Sequence, residues 1–97
     1  MSDPYLKAIQ EQWPYIRALY ATYERKKPII LYDIQEKKIY AYPYKDFKAE
    51  MSGKSQASLE RQYKSASLHG SMVVFVRDNT ERNLVSYTMG IDNMTVQ

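Results

Sequence analysis

Two pairs of short apolar segments constrain the fold of this chain more than any other feature. The segments are bounded by polar or turn-forming residues and are rich in β-branched and aromatic side chains, which is typical of β-strands. The first pair covers residues 29–34 and 39–44, and the second covers residues 72–77 and 84–89. Because only a short polar link joins the two members of each pair, both pairs are predicted to form antiparallel hairpins.

A helical pattern precedes the first predicted hairpin. Asp3 followed by Pro4 is a favourable helix start, with a capping carboxylate before a proline in the first turn. Apolar residues then recur three or four positions apart as far as Tyr23, and Pro14 does not change their phase. Because proline removes one backbone donor and disfavours helix at the residue before it, the pattern favours one helix kinked near Pro14.

A second helix is predicted before the second hairpin. Ser55 can cap its start, and Gly70 in the left-handed conformation can end it just after His69. A shorter helical turn is predicted at residues 46–51.

The resulting order of helix, hairpin, helix and hairpin predicts one α+β domain over residues 1–97. We expect a two-layer sandwich in which two helices pack on a four-stranded, mainly antiparallel sheet. A length of 97 residues suits a single core. The terminal segments 1–3 and 91–97 carry no clear pattern and are predicted to be loosely ordered.

The two predicted hairpins share a faint internal repeat. Their registers are predicted to place Ile34 opposite Ile39 in the first hairpin and Val76 opposite Val85 in the second. Five positions of the first hairpin recur in similar form 45 residues later, and Tyr42 then corresponds to Tyr87. This correspondence matches the tyrosine face of the first hairpin with the face of the second that carries Val76 and Val85. The sequence alone leaves open which face of the first hairpin is buried.

Composition excludes several classes of site. The chain has no cysteine, so it has no disulfide, thiolate zinc site or iron–sulfur cluster, and a single histidine makes a metal site or other cofactor unexpected. The apolar runs are too short to cross a membrane, and we expect a cytoplasmic protein without membrane contact. The net charge of +3 is small for a nucleic-acid-binding protein.

Three features could indicate a functional site, but each is weak evidence for one. Residues 52–55 end like a phosphate-binding loop but lack the leading glycine, so an ordinary helix start is the better interpretation. His69 is predicted to have a structural role at a helix end. Asp33 lies in an apolar segment, where burial could raise its pKa, although exposure on an edge strand would explain it equally well. No catalytic constellation is apparent, so the chain is predicted not to be an enzyme.

The tyrosines are the main departure from ordinary composition, since the chain has ten. Tyr40, Tyr42 and Tyr44 alternate along one predicted strand, and Lys45 and Lys48 follow. This aromatic and basic surface predicts a small protein-interaction module, with a protein partner and homodimer formation expected. Trp13 and Tyr20 form a second candidate surface on the first helix. The alternative is an RNA-binding domain whose tyrosines stack on bases, or less favourably a metal-free ribonuclease.

Overall fold

The computed structural model describes residues 3–50 and 55–96 of the chain. These residues form a compact α+β structure with four α-helices, a short 3-10 helix and four strands. The helices are α1 (Pro4–Glu11), α2 (Trp13–Thr22), α3 (Tyr44–Glu50) and α4 (Ser55–Leu68), and the 3-10 helix is Glu24–Lys26. The strands are β1 (Ile29–Asp33), β2 (Lys38–Tyr42), β3 (Ser71–Asp78) and β4 (Asn83–Gly90).

The four strands form one mixed sheet with the order β2-β1-β3-β4. Each predicted hairpin is present as an antiparallel pair, and the two hairpins meet through parallel pairing of β1 with β3. The parallel register sets Ile30 beside Val74 and Tyr32 beside Val76. Because β1 and β3 occupy the centre, neither can be an edge strand, which corrects the edge position considered for Asp33.

The helices cover both faces of the sheet, so the arrangement has three layers where two were predicted. On one face, α1 and α2 place Ile9, Ile16 and Tyr20 against Ile30 and Val74. The opposite face is covered by α3 and α4. Their side chains Phe47, Leu59 and Ala66 join a second core cluster with four sheet residues, Ile29, Leu31, Val73 and Phe75. The central strands are therefore buried on both sides.

The first helix divides in two where a single kinked helix was predicted. Gln12 leaves the helical conformation between α1 and α2, and Pro14 stands in the first turn of α2. Because proline has no N–H, Pro14 cannot donate a hydrogen bond to the last turn of α1. The backbone N–H groups of Tyr15 and Ile16 both donate to the Gln12 carbonyl, which is where α2 begins. The phase of the apolar residues is nonetheless kept, because Ile9 and Ile16 enter the same core cluster.

The predicted register is confirmed for the second hairpin and corrected for the first. Val76 lies opposite Val85, as expected. In the first hairpin Ile39 faces Tyr32 and not Ile34, because the strands end at the pair formed by Asp33 and Lys38. The shift is two residues, so the predicted division of side chains between the two faces still holds.

The two hairpin turns have closely similar geometry. In the first turn the Asp33 carboxylate accepts the backbone N–H of Glu36, and Lys37 has a φ of 55°. Likewise the Asp78 carboxylate accepts the N–H of Glu81, and Arg82 has a φ of 54°. These are the positions that repeat 45 residues apart in the sequence.

The described part of the chain shows a similar repeat in its element order, since two α-helices followed by a hairpin occur twice. A two-fold axis parallel to β1 and β3 would produce this strand order, and such an axis exchanges the two faces of the sheet. This exchange explains why the repeat matches Tyr42 with Tyr87. Tyr42 belongs to the cluster under α3 and α4, whereas Tyr87 packs in the cluster under α1 and α2.

The C-terminal segment, predicted to be loosely held, turns back along the end of β4. The N–H of Gly90 donates to the Thr95 carbonyl over 2.8 Å, and Val96 forms a bridge with Met89. Ile91 and Met94 pack against the first core cluster.

The first prediction concerns Gly70, which ends α4 with a φ of +65°. A Cβ at this position would have no heavy atom within 4 Å, so replacement with alanine tests backbone conformation alone. Gly70→Ala should lower the free energy of unfolding by about 1–2 kcal/mol in a urea titration. Gly70→Asn should cost less, because asparagine tolerates the left-handed conformation better. An alanine variant as stable as the original chain would contradict this account.

Candidate interaction surface

Tyr40 and Tyr42 lie on β2, on the sheet face covered by α3 and α4. Both are half-buried, and their ring centroids are 6.1 Å apart. The Tyr42 ring also lies 5.8 Å from that of Phe47 on α3, while the Tyr40 hydroxyl donates to Glu36 over 3.2 Å. These two tyrosines therefore join the core to its rim and do not form an open platform.

Tyr44 does not continue the strand. Pro43 ends β2, and its carbonyl accepts the N–H groups of Asp46 and Phe47, so Tyr44 begins α3. Its ring stacks on that of Tyr63 from α4, with centroids 4.4 Å apart. Tyr44 was expected to lie in one row with Tyr40 and Tyr42 along a strand. It lies apart from them because the strand ends before it and α3 begins at Tyr44.

The two lysines predicted for the same surface follow on α3. Lys45 is exposed. Lys48 also lies within α3, but its side chain is outside the described part of the structure. Residues 52–54 of the loop-like motif lie outside it as well.

The second predicted surface, formed by Trp13 and Tyr20, is placed in the interior. Tyr20 is 3% exposed and belongs to the core cluster under α1 and α2, against which the half-buried Trp13 packs. The helical stripe that contains them is the buried face of α2. Tyr20 is therefore not accessible to a partner in this conformation.

The outer edge of β2 is the most accessible part of the region that the sequence singled out. β2 stands at the end of the sheet, and within residues 3–50 and 55–96 only β1 pairs with it. Alternate backbone N–H and C=O groups of an edge strand point away from the sheet and can pair with another chain. Lys38 is exposed at one end of this strand, and Lys45 is exposed just beyond the other end.

A cavity of about 230 Å³ borders this edge on the face of α2. It is lined by Tyr23, Lys26, Pro28, Ala41 and Pro43. Tyr23 is 51% exposed, so part of an aromatic ring is available to a ligand. We call the cavity, the outer edge of β2, and the side chains of Lys38 and Lys45 the β2-edge surface.

The sequence analysis missed the cavity, although one signal was present. Once Ile29 is paired with Tyr42, the same register places Pro28 next to Pro43. That pairing brings the segment just before β1, with Tyr23 and Lys26, to the end of β2. The register predicted from the sequence was two residues away from this one, so the neighbours did not coincide.

Positive charge is concentrated around the β2-edge surface. Residues 24–28 and 36–46, which border it, contain six lysines or arginines and three acidic residues. Their excess of three equals the net charge of the whole chain. The rest of the sequence is balanced, so the excess positive charge of the protein lies near this edge.

Asp33 was the most suggestive carboxylate, and the structure gives it a structural role. It is fully buried, and its carboxylate accepts bonds from the Glu36 N–H over 3.0 Å and the Arg77 Nε over 2.8 Å. The Glu36 N–H and then the Arg77 guanidinium lower the pKa of Asp33, and they outweigh the opposing effect of burial. The raised pKa considered from the sequence is therefore corrected, and Asp33 remains ionised at neutral pH.

Asp33 belongs to a polar network that ties the two hairpin turns together. The Gln35 amide donates to Asp78 over 2.9 Å, and its carbonyl oxygen accepts the Asn79 N–H over 2.6 Å. Tyr5 of α1 donates to the other Asp78 oxygen. Asp33 and Asp78 thus both accept hydrogen bonds from neighbouring donors. We call this network, which links the two hairpin turns, the clamp.

Other kinds of site have little support. The described ranges hold no group of three or more histidine or acidic side chains arranged for a metal ion. Nor does any helix within them have the length and apolar character needed to cross a membrane. Comparisons with protein-family models, curated proteins and solved structures gave no significant match.

The second prediction tests the clamp. Asp33→Ala should lower the free energy of unfolding by roughly 1–3 kcal/mol, because the Glu36 N–H and the Arg77 guanidinium lose a buried, charged acceptor. Asp92→Ala is the matched control, since it removes the exposed ion pair with Arg17, which contributes at most about 1 kcal/mol. Urea unfolding of both variants measures the difference. Equal losses would show that the Asp33 network does not stabilise the fold.

The third prediction concerns acid stability. The Tyr87 hydroxyl lowers the pKa of Asp3, and hydrogen bonds from Gln35 and Tyr5 lower that of Asp78 against the effect of burial. Together with Asp33, these groups have folded-state pKa values below the ordinary 3.8. The unfolded chain therefore binds protons first, and the stabilisation is lost as pH falls through the folded-state values.

Urea titrations from neutral pH to about pH 2 should show the free energy of unfolding declining below roughly pH 4 to 5. The decline should be shallower in Asp33→Ala. A free energy that stays constant over the acid range would contradict the three lowered pKa values.

Proposed function

We propose that this protein is a small, non-catalytic protein-interaction module that binds an extended acidic segment of a partner protein. The observation that carries the proposal is the β2-edge surface, where an unpaired strand edge, a cavity with an exposed aromatic ring and the excess positive charge occur together. Each feature alone is common on protein surfaces. Strand addition needs an exposed sheet edge for backbone hydrogen bonds, a neighbouring cavity can hold side chains of the added strand, and positive charge favours acidic ones.

In this proposal the partner segment adds a fifth strand beside β2. Backbone hydrogen bonds along residues 38–42 supply affinity, and they are independent of the partner's side chains. Alternate side chains of an added strand point to opposite faces. On one face they meet the cavity that contains Tyr23, and on the other they meet the rim formed by Tyr40 and Tyr42.

The lysines supply selectivity. Lys26 lines the cavity, and Lys38 and Lys45 stand near the two ends of β2. Acidic residues of the partner would be attracted to these positions, mainly through faster association. The interaction should accordingly weaken with salt to a moderate extent, because the charges are exposed.

RNA binding, the alternative from the sequence, has less support. Stacking of bases needs open ring faces, whereas Tyr44 is stacked on Tyr63 and both Tyr40 and Tyr42 are half-buried under α3 and α4. A metal-free ribonuclease would need an acid and a base placed to act together. The most prominent buried carboxylate, Asp33, is engaged by Arg77 in the clamp.

The fourth prediction uses an octapeptide of alternating glutamate and valine as the probe. In a titration followed by amide NMR, the largest shifts should fall on residues 38–42 and on the cavity residues Tyr23 and Lys26. Lys38→Glu should weaken binding roughly five-fold, because an exposed charge pair contributes up to about 1 kcal/mol. Fluorescence anisotropy with a labelled peptide measures the dissociation constants.

Lys7→Glu is the matched control. It makes the same change of net charge on α1, which contacts the opposite end of the sheet through the Tyr5 bond with Asn83. Equal weakening by both variants, or shifts that avoid β2, would refute the proposal. Tight binding of a labelled oligouridylate with a steep salt dependence, and none of the peptide, would favour RNA.

A further inference from the structure

The opposite edge of the sheet has a different character. Strand β4 has the sequence Asn-Leu-Val-Ser-Tyr-Thr-Met-Gly, with no charged residue and no proline in eight positions. Natural edge strands usually carry such residues, because they prevent pairing with other molecules. β2 carries such residues, since Lys38 is exposed within the strand and Pro43 follows its end, and this positive charge disfavours pairing of β2 with a second copy of the same basic edge.

Part of the β4 edge is already occupied by the chain itself. The bridge between Met89 and Val96 and the bond from Gly90 to Thr95 cover the last two residues of the strand. Among the described residues nothing pairs with the outer side of residues 83–88. The outward-pointing backbone groups of these six residues are thus free to pair, and Leu84 within them is 46% exposed.

We propose that residues 83–88 pair antiparallel with the same residues of a second copy of this chain. A neutral edge neither attracts nor repels a charged partner, but it matches another neutral edge of the same length. Antiparallel self-pairing about a two-fold axis is the arrangement in which one patch contacts itself. The product is a continuous eight-stranded sheet.

The charge distribution also favours this occupant. The excess positive charge lies around β2, at the far end of the sheet order from β4. Joining two copies through β4 places the two basic edges at opposite ends of the combined sheet, where their repulsion is smallest. It also leaves both β2-edge surfaces open, so the dimer and the proposed partner binding do not depend on each other.

The geometry limits where the two-fold axis can pass. In an antiparallel pair, two side chains directly opposite each other lie on the same face of the sheet. The two-fold axis must therefore pass beside one residue, which then faces its own copy, because an axis midway between two residues would pair side chains from opposite faces. The middle of the free segment is Val85 and Ser86. Because an antiparallel pair brings opposite Cβ atoms to about 4.5–5.5 Å, a residue on the axis lies close to its own copy.

The absence of cysteine from the chain makes a direct test available. Val85→Cys and Ser86→Cys each introduce a single thiol at the expected axis, and Lys38→Cys introduces one on the other edge as the control. Under mild oxidation, at least one β4 variant should form a disulfide-linked dimer at least ten-fold faster than the control. Equal rates, or faster linkage through Lys38→Cys, would overturn the proposal.

A second measurement needs no cysteine. In sedimentation equilibrium the unmodified chain should shift from its 11.4 kDa mass toward twice that value as its concentration rises to the sub-millimolar range. Ser86→Lys brings two like charges together, directly opposite each other when the axis passes beside Ser86 and diagonally adjacent when it passes beside Val85, and should weaken association at least ten-fold. Ser65→Lys adds the same charge at an exposed position of α4 and should leave association unchanged.

A mass of 11.4 kDa at every concentration would refute self-pairing, as would a dimer that Ser86→Lys leaves intact. Circular dichroism of the lysine variants establishes that each is folded. Because the peptide titration reports on β2 and these experiments report on β4, failure of one proposal would not be mistaken for failure of the other.

Discussion

The parallel pairing of β1 with β3 is the interaction on which the rest of the structure depends. It joins two units, each made of two helices and a hairpin, and it extends over the four pairs from Ile30 beside Val74 to Asp33 beside Arg77. Parallel strands at the centre of a sheet require cover on both faces, since their side chains point to both sides and are apolar on both. The placement of α1 and α2 on one face and of α3 and α4 on the other follows from that requirement. The clamp around Asp33 then fixes the end at which the two hairpin turns meet.

Much of this arrangement was accessible from the sequence, because its signals are local. Helix starts at Asp3 and Ser55, the Gly70 stop and the register of the second hairpin depend on residues close together in the chain. The parallel pairing has no such signal, since β1 and β3 are separated by a hairpin strand and two helices. The one indication of this pairing in the sequence was the repeat at 45 residues, which matches residues on opposite faces of the sheet, such as Tyr42 and Tyr87. In a two-layer sandwich only one face of the sheet is buried, and the repeat then does not show which face of the first hairpin that is. A two-fold arrangement that exchanges the two faces accounts for the match between Tyr42 and Tyr87.

The candidate surface was predictable in composition but not in shape. Tyr40 and Tyr42 lie on β2 and Lys45 lies on α3, and the tyrosines fill the rim of a core that α3 and α4 complete. The positions of Tyr23 and Lys26 depend on how the end of α2 meets the end of β2, and that is a tertiary contact. Amphipathic residues such as tyrosine suit a rim because one part of the side chain can be buried while the hydroxyl reaches a polar neighbour. An alternating row of them therefore does not distinguish a binding platform from the margin of a core.

Covering both faces has a consequence for how a chain of this size can interact. A sheet with one open face can recruit a partner through that face, but here helices lie over both faces and leave the strand edges as the accessible backbone. The two edges then differ in sequence: β2 carries Lys38 and is followed by Pro43, and β4 carries neither charge nor proline. In our proposals, charge at one edge discriminates among partners, and neutrality at the other favours an identical strand. The approximate symmetry of the fold supplies two similarly placed edges, and the sequence differences between them are the reason why we propose different partners for each.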